Sequence, residues 1–229
     1  MAQCAARALQ LALQSIERGP EQFAAQVYED EAQCDHFEDM LGTYLVKLSA
    51  RKLDEAESEQ TTAMLKSIGD FERISDHAVN ILQSAEEMQE KKLEFTPEAM
   101  QEFRILAAAV REILKRTLQA FQTEDIPLAS KVEPLEQVID ALKEQMRTRH
   151  ILRMQRGACS IEAGFVWADL LTNLERTSDH CSNIAGCMID TAKHNLNLHE
   201  SLRAAQMEDP KFGLCFARDA QTFRLPSKN

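Results

Sequence analysis

Apolar residues recur along this chain at alternating steps of three and four, the spacing of one buried helix face. Residues 2–18 form a first short helical pattern, and Gly19-Pro20-Glu21 is a stop and restart. A second helix then carries Phe23, Val27, Asp30, Cys34, Phe37, Leu41, Tyr44 and Leu48 as its seam. Asp30 is the one position there that does not suit a buried stripe. The spacing predicts a third helix from about Asp54 to about Glu90, with Met64, Ile68, Phe71, Ser75, Ala78, Leu82 and Ala85 facing the core. Lys91 to Phe95 breaks the pattern, after which Thr96 reads as an N-cap and Pro97 as the first residue of a fourth helix. That helix has its seam at Phe103, Leu106, Val110, Ile113, Thr117 and Phe121. A fifth carries Val132, Leu135, Ile139, Leu142 and Met146, with Pro134 expected to kink it or delay its regular part. Gly157 marks the next turn, and a sixth helix runs from about Ser160 to about His194. A short helix from Phe212 to Phe223 follows in a C-terminal extension.

The third and sixth helices repeat one another. Glu72-Arg73-Ile74-Ser75-Asp76-His77 leads to Asn80-Ile81, and Glu175-Arg176-Thr177-Ser178-Asp179-His180 leads to Asn183-Ile184. The predicted fold is therefore all-α, a duplicated three-helix bundle of six long helices. Its parts are 1–95, 96–195 and a C-terminal extension over 196–229.

The duplication also aligns acids. Glu31 and Asp35 on the second helix match Glu136 and Asp140 on the fifth; Glu72 and Asp76 on the third match Glu175 and Asp179 on the sixth. Each is a Glu-x-x-x-Asp pair, one helical turn apart on the same side, and each acid lies one residue after a seam position. Two helices of each bundle thus present four carboxylates on one flank of the buried stripe. Ser75 and Ser178 place a small residue in the seam at that level. An isolated pair of this kind reads as a solvated face that Arg73 or Arg176 neutralises. Four pairs in register instead favour a cation between the carboxylates, which otherwise repel and resist desolvation. Oxygen-rich clusters suit hard or borderline ions: Mg, Ca, Mn, Fe, or Zn with a nitrogen donor. His36, His77 and His180 each follow the second acid of a pair, pointing about a quarter turn away, and read as bundle-surface or inter-helix hydrogen-bonding residues rather than ligands. Asn80 and Asn183 read as supports for a ligating carboxylate or as surface amides.

Composition narrows the functions open to such a bundle. Of 229 residues, 44% are hydrophobic, with 7 Gly and 6 Pro, which fits long helices with short connections. A net charge of −11 argues against nucleic acid and against simple docking on anionic lipid. Six cysteines without C-x-x-C spacing, and no apolar run of membrane-spanning length, lead us to expect a soluble cytosolic chain with reduced thiols. There is no nucleophile–base pair and no Gly-rich phosphate loop.

The doubled Glu-Arg-x-x-Asp followed by Asn, with its companion pairs at Glu31/Asp35 and Glu136/Asp140, resembles the PhoU family from roughly residue 20 to 195. Gly69-Asp70-Phe71-Glu72-Arg73, Val132-Glu133-Pro134-Leu135-Glu136 and Asp169-Leu170-Leu171-Thr172-Asn173 are similar to the PhoU-like domain fused behind bacterial sodium/phosphate cotransporters. The resemblance implies a non-enzymatic regulator of phosphate transport and phosphate homeostasis, acting at the inner face of the membrane. It implies as its partner a transporter membrane domain, fused or separate, and is compatible with a homo-oligomer. It further implies metal ions (Fe, Zn, Mn or Mg) held by Glu31, Asp35, Glu72, Asp76, Glu136, Asp140, Glu175 and Asp179. The first helix is short for that family, and the membrane-spanning part is absent from this sequence. Read from the residues alone, a carboxylate-bridged metalloenzyme and a metal-free helical scaffold remain alternatives.

Overall fold

The computed structural model describes residues 1–192 and 210–226. Six long helices are present: α1 (Ala2–Arg18), α2 (Ala24–Ser49), α3 (Glu55–Glu90), α4 (Pro97–Thr123), α6 (Val132–Gln155) and α7 (Ile161–Ala192). A single turn, α5 (Ile126–Ala129), lies between α4 and α6, and α8 (Pro210–Thr222) follows α7. The expected end of the sixth helix at His194 lies outside the described residues. No described helix is long and apolar enough to cross a membrane.

Local chemistry sets the boundaries. Asp54 accepts from the Glu57 backbone N–H at 2.8 Å while the Glu57 carboxylate accepts from Asp54 N–H at 3.0 Å, a reciprocal cap that starts α3. Thr96 accepts from Ala99 N–H at 3.2 Å, with Pro97 in the first turn of α4. The turn into α7 passes through Gly157 at φ 67°, a left-handed conformation that suits a residue without Cβ. Pro134 does not interrupt α6. It is the third residue of α6, where a missing N–H has no helical acceptor to disappoint.

α1, α2 and α3 pack together, as do α4, α6 and α7, and α3 meets α7 along a long contact. The buried apolar residues form one continuous core, from Ala5, Leu9 and Leu13 of α1 through Ile74 and Leu82 to Phe103, Trp167 and Ile184. α8 lies on α6, and its buried Asp219 is held by Arg116 of α4 at 2.6 and 3.1 Å.

Two expectations for α2 need correction. Asp30 is fully buried in the seam, because Arg7 of α1 clamps its carboxylate with two hydrogen bonds, Nε to Oδ2 at 2.7 Å and Nη2 to Oδ1. Farther along, Leu41 and Tyr44 are 37% and 63% exposed and Leu45 takes the buried position instead. The reason is length. α1 has 17 residues against 26 in α2, so at 1.5 Å per residue it ends more than 10 Å short. Beyond that point only α3 remains to cover α2, and the buried stripe narrows.

Candidate functional site

The small seam residues bring the motif helices close to their partners. Ser75 is fully buried beside Cys34 of α2, and its hydroxyl donates to the Glu72 carbonyl at 2.7 Å. Ser178 does the same with Glu175 at 2.7 Å. The acids one residue farther round each helix are thereby set against the neighbouring helix.

In the first bundle, one carboxylate oxygen each from Glu31, Asp35 and Asp76 lies within 4.8 Å of the others. Among the described residues this is the one trio of His, Cys, Asp or Glu so arranged. Glu72 lies one turn before Asp76, and the two carboxyl groups act on one another. Burial first, and Asp76, Glu38 and Asp35 after it, push the Glu72 carboxyl up to about 7. Burial, then Asp35 and Asp76, raise Glu31 as well. Five acids on two helices thus face one another with no lysine or arginine bridging them in the described residues. Such a cluster can hold a cation through oxygen ligands, with one edge open to solvent at the exposed Asp35.

The second bundle assembles its counterpart differently. Burial, reinforced by Glu133, Asp179, Asp140 and Glu175, pushes Glu136 up to about 8. Burial and Glu175 push Asp179 up to about 6, opposed by Arg176, His180 and Lys143. Here a resident cation is present. Lys143 Nζ lies 3.0 Å from Glu175 and 4.0 Å from Asp140, and Arg176 lies 3.9 Å from Asp179.

The sequence reading missed the residues that distinguish the two clusters. Lys143 stands three positions after Asp140, and Glu38 three positions after Asp35. Aligning the copies beyond the four matched pairs shows a lysine where the first copy has an acid. Glu133, which accepts a hydrogen bond from Ser182, also lies beside Glu136 and was not singled out as a site residue.

The histidines and asparagines of the repeat turn away from the acids, towards the other bundle. His77 Nδ1 is 2.9 Å from Asn173 Oδ1, and Asn80 donates to the same oxygen at 3.2 Å. In mirror arrangement His180 Nδ1 is 2.8 Å from Asp70 Oδ1, and Asn183 donates to it at 3.4 Å. The imidazoles stack at 5.4 Å between them. Each motif helix therefore has two working faces, acids towards its own bundle and amide–imidazole pairs towards the other.

A doubled repeat of this kind can be matched to known families. The PhoU domain model matches residues 1–85 and 103–188. The chain belongs to the PhoU domain family. It is 26% identical over 198 residues to the phosphate-specific transport system accessory protein PhoU homolog 1 of Thermotoga maritima, covering 85% of this chain and 83% of that one. It is 29% identical over 169 residues to a PhoU homolog of Pseudomonas putida, covering 72% and 64%. The fold is similar to the crystal structure of PhoU from Pseudomonas aeruginosa, with a TM-score of 0.80 at 23% identity over 85% of this chain and 93% of that one. A PhoU from Streptococcus pneumoniae, described as a phosphate transport system regulatory protein, superposes with a TM-score of 0.73 at 17% identity over 85% and 91%. The PhoU domain match spans both acid clusters, so the inequality at Glu38 and Lys143 lies within the family's own region of the chain.

Proposed function

We propose that this PhoU-domain chain is a non-enzymatic regulator of phosphate transport that works from the cytoplasmic side on a transporter's membrane part. Its family membership and the names of its relatives support that reading, and the partner is either a separate transporter or one joined to the same chain. We further propose that a divalent or trivalent metal ion binds the first bundle through Glu31, Asp35, Glu72 and Asp76. The observation behind this is the convergence of Glu31, Asp35 and Asp76 within 4.8 Å, across two helices. In this reading the ion bridges α2 to α3 and stiffens the surface that meets the transporter.

The second cluster fits an ion less well, because Lys143 already supplies a positive charge to Glu175 and Asp140. We therefore expect purified, untagged protein to bind metal mainly in the first bundle. Elemental analysis and melting curves before and after dialysis against chelator are the test. Glu72→Ala with Asp76→Ala should remove the bound metal and leave helical content unchanged; unaltered metal content in that variant sinks the assignment. Lys143→Ala should raise the metal content, through Glu136, Asp140, Glu175 and Asp179. If the lysine variant binds no more metal than the parent under saturating Mn, Fe, Zn or Mg, the lysine is not what closes the second site.

A further inference from the structure

The end of the second bundle away from both acid clusters holds an open cavity of about 560 Å³. Its walls are the first turns of α4 (Thr96, Glu98, Gln101, Glu102), the last turns of α6 (Arg149, Leu152, Arg153, Arg156) and Pro226 after α8. That volume is in the range of small-molecule sites and far larger than a water or a simple ion requires.

Charge at this cavity does not balance. Glu102, 3% exposed, accepts from Arg149 Nη1 at 3.1 Å and from Arg153 Nη1 at 2.8 Å. One carboxylate thus serves two guanidinium groups. The second Nη of Arg149 donates to the Pro226 carbonyl at 2.8 Å, which adds no charge. Arg153 lies with its guanidinium carbon 5.6 Å above the Trp167 ring, and its Nε and Nη2 are buried without an acceptor. A cation–π contact offsets part of that deficit but satisfies no N–H in the way an oxygen does. Packed on the same ring is His150, whose Nδ1 is also unpartnered, as is Trp167 Nε1. Four of the six buried side-chain atoms without a partner among the described residues lie in this one corner. Native proteins leave few such atoms, and each calls for an explanation such as strain, a bound water or an ion. Arg156, at the rim, has no partner among the described residues, while Glu98 at the exposed start of α4 also lines the cavity and its charge acts on Arg153. Three guanidinium groups against two carboxylates leave the cavity lining positive on a chain whose net charge is −11.

We propose that this cavity binds a small phosphorylated molecule whose phosphate sits between Arg153 and Arg156. A phosphomonoester carries about −1.5 to −2 near neutral pH, which complements a lining where guanidinium groups outnumber carboxylates and Arg156 has no acid of its own. Guanidinium forks match phosphate oxygens in geometry. Leu152, Ala158 and the Pro226 ring supply an apolar wall for the remainder of the ligand, and Gln101 and Thr96 supply polar groups for hydroxyls. The proposal is independent of metal binding in either bundle.

Trp167 is the sole tryptophan of the chain and reports directly on Arg153. The test is to titrate the full chain, in chelator, with AMP, glucose 6-phosphate and inorganic phosphate while following Trp167 fluorescence, with adenosine, glucose and citrate as controls. A saturable change with at least one phosphomonoester, absent with its unphosphorylated counterpart, is expected. Arg156→Ala, an exposed substitution that should leave the melting temperature unchanged, should weaken it about tenfold or more. Arg153→Lys, which keeps the charge and loses the fork, should weaken it similarly. No saturable response to any of the phosphate compounds, saturation by citrate alone, an equal response to adenosine, or an unchanged affinity in Arg156→Ala would overturn the proposal.

Discussion

Replacing Glu102 with Ala should destabilise the chain by about 3–5 kcal/mol, because it strips the one carboxylate that, among the described residues, pairs with two largely buried guanidinium groups. Removing one partner of a buried ionic set costs far more than the set contributes, since the remaining charges stay desolvated and unpaired. Arg149 retains the Pro226 carbonyl, but Arg153 would keep only the face of Trp167 and the exposed charge of Glu98, with no hydrogen-bond acceptor among the described residues. In a chain of this size each kcal/mol moves the melting temperature by roughly 2–4 °C, so the effect is readily measured by chemical or thermal unfolding. Glu102→Gln should fall well short of that loss, since its carbonyl oxygen still accepts one of the two hydrogen bonds. A loss below about 1 kcal/mol in Glu102→Ala would mean that water reaches the arginines and that the triad is not desolvated.

Metal-free protein should become less stable as pH rises from about 6.5 to about 8.5. The sign follows from Glu136 and Glu72, whose folded values near 8 and 7 lie above the ordinary value of 4.5. A carboxyl with a raised folded value contributes its full share only below the unfolded value, and that share is lost as pH climbs through the folded one. Glu136 alone accounts for about 2 kcal/mol across that window. Glu72 is more solvated and adds less. Below pH 6.5 the trend is opposed by His150, which burial, aided by Arg153, lowers to about 4, so that acid destabilises the fold by charging this imidazole first in the unfolded chain. The upper window isolates the carboxylates. Melting curves of chelated protein should therefore fall by roughly 4–8 °C between the two ends, and Glu136→Gln should remove most of the slope. If the metal reading holds, saturating metal should flatten the part of the slope due to Glu72, because a bound ion keeps that carboxylate ionised. A rising melting temperature over this window would contradict the burial of Glu136.

Much of this architecture was legible before any coordinates. Helix boundaries at Asp54, Thr96 and Gly157 rest on caps and a left-handed turn, whose causes sit within four residues of sequence. Core seams followed from the three–four spacing wherever two neighbouring helices cover the stripe, as in α4 and α6. Internal repetition located both acid clusters, because a duplicated motif fixes equivalent positions without knowledge of what surrounds them.

Tertiary structure decided the rest, for reasons of reach and charge. Asp30 looked like a fault in a seam; it is buried because Arg7, on a different helix, arrives with two donors. Leu41 and Tyr44 kept the right spacing and are exposed, because a buried stripe needs a neighbour as long as itself and α1 is too short. Asp70, Asn173 and the two histidines became an inter-bundle contact only once α3 and α7 crossed. The acids of the two copies are equal on paper, yet Lys143 faces one set and Glu38 the other, which burial makes consequential. The arginine-lined cavity joins residues from Thr96 to Pro226 and leaves no local pattern at all. Short-range order is dictated by neighbouring residues along the chain, and so the sequence alone determined the helices and the repeat. Pairing of buried charge depends on which helices end beside one another, and only the folded chain could decide it.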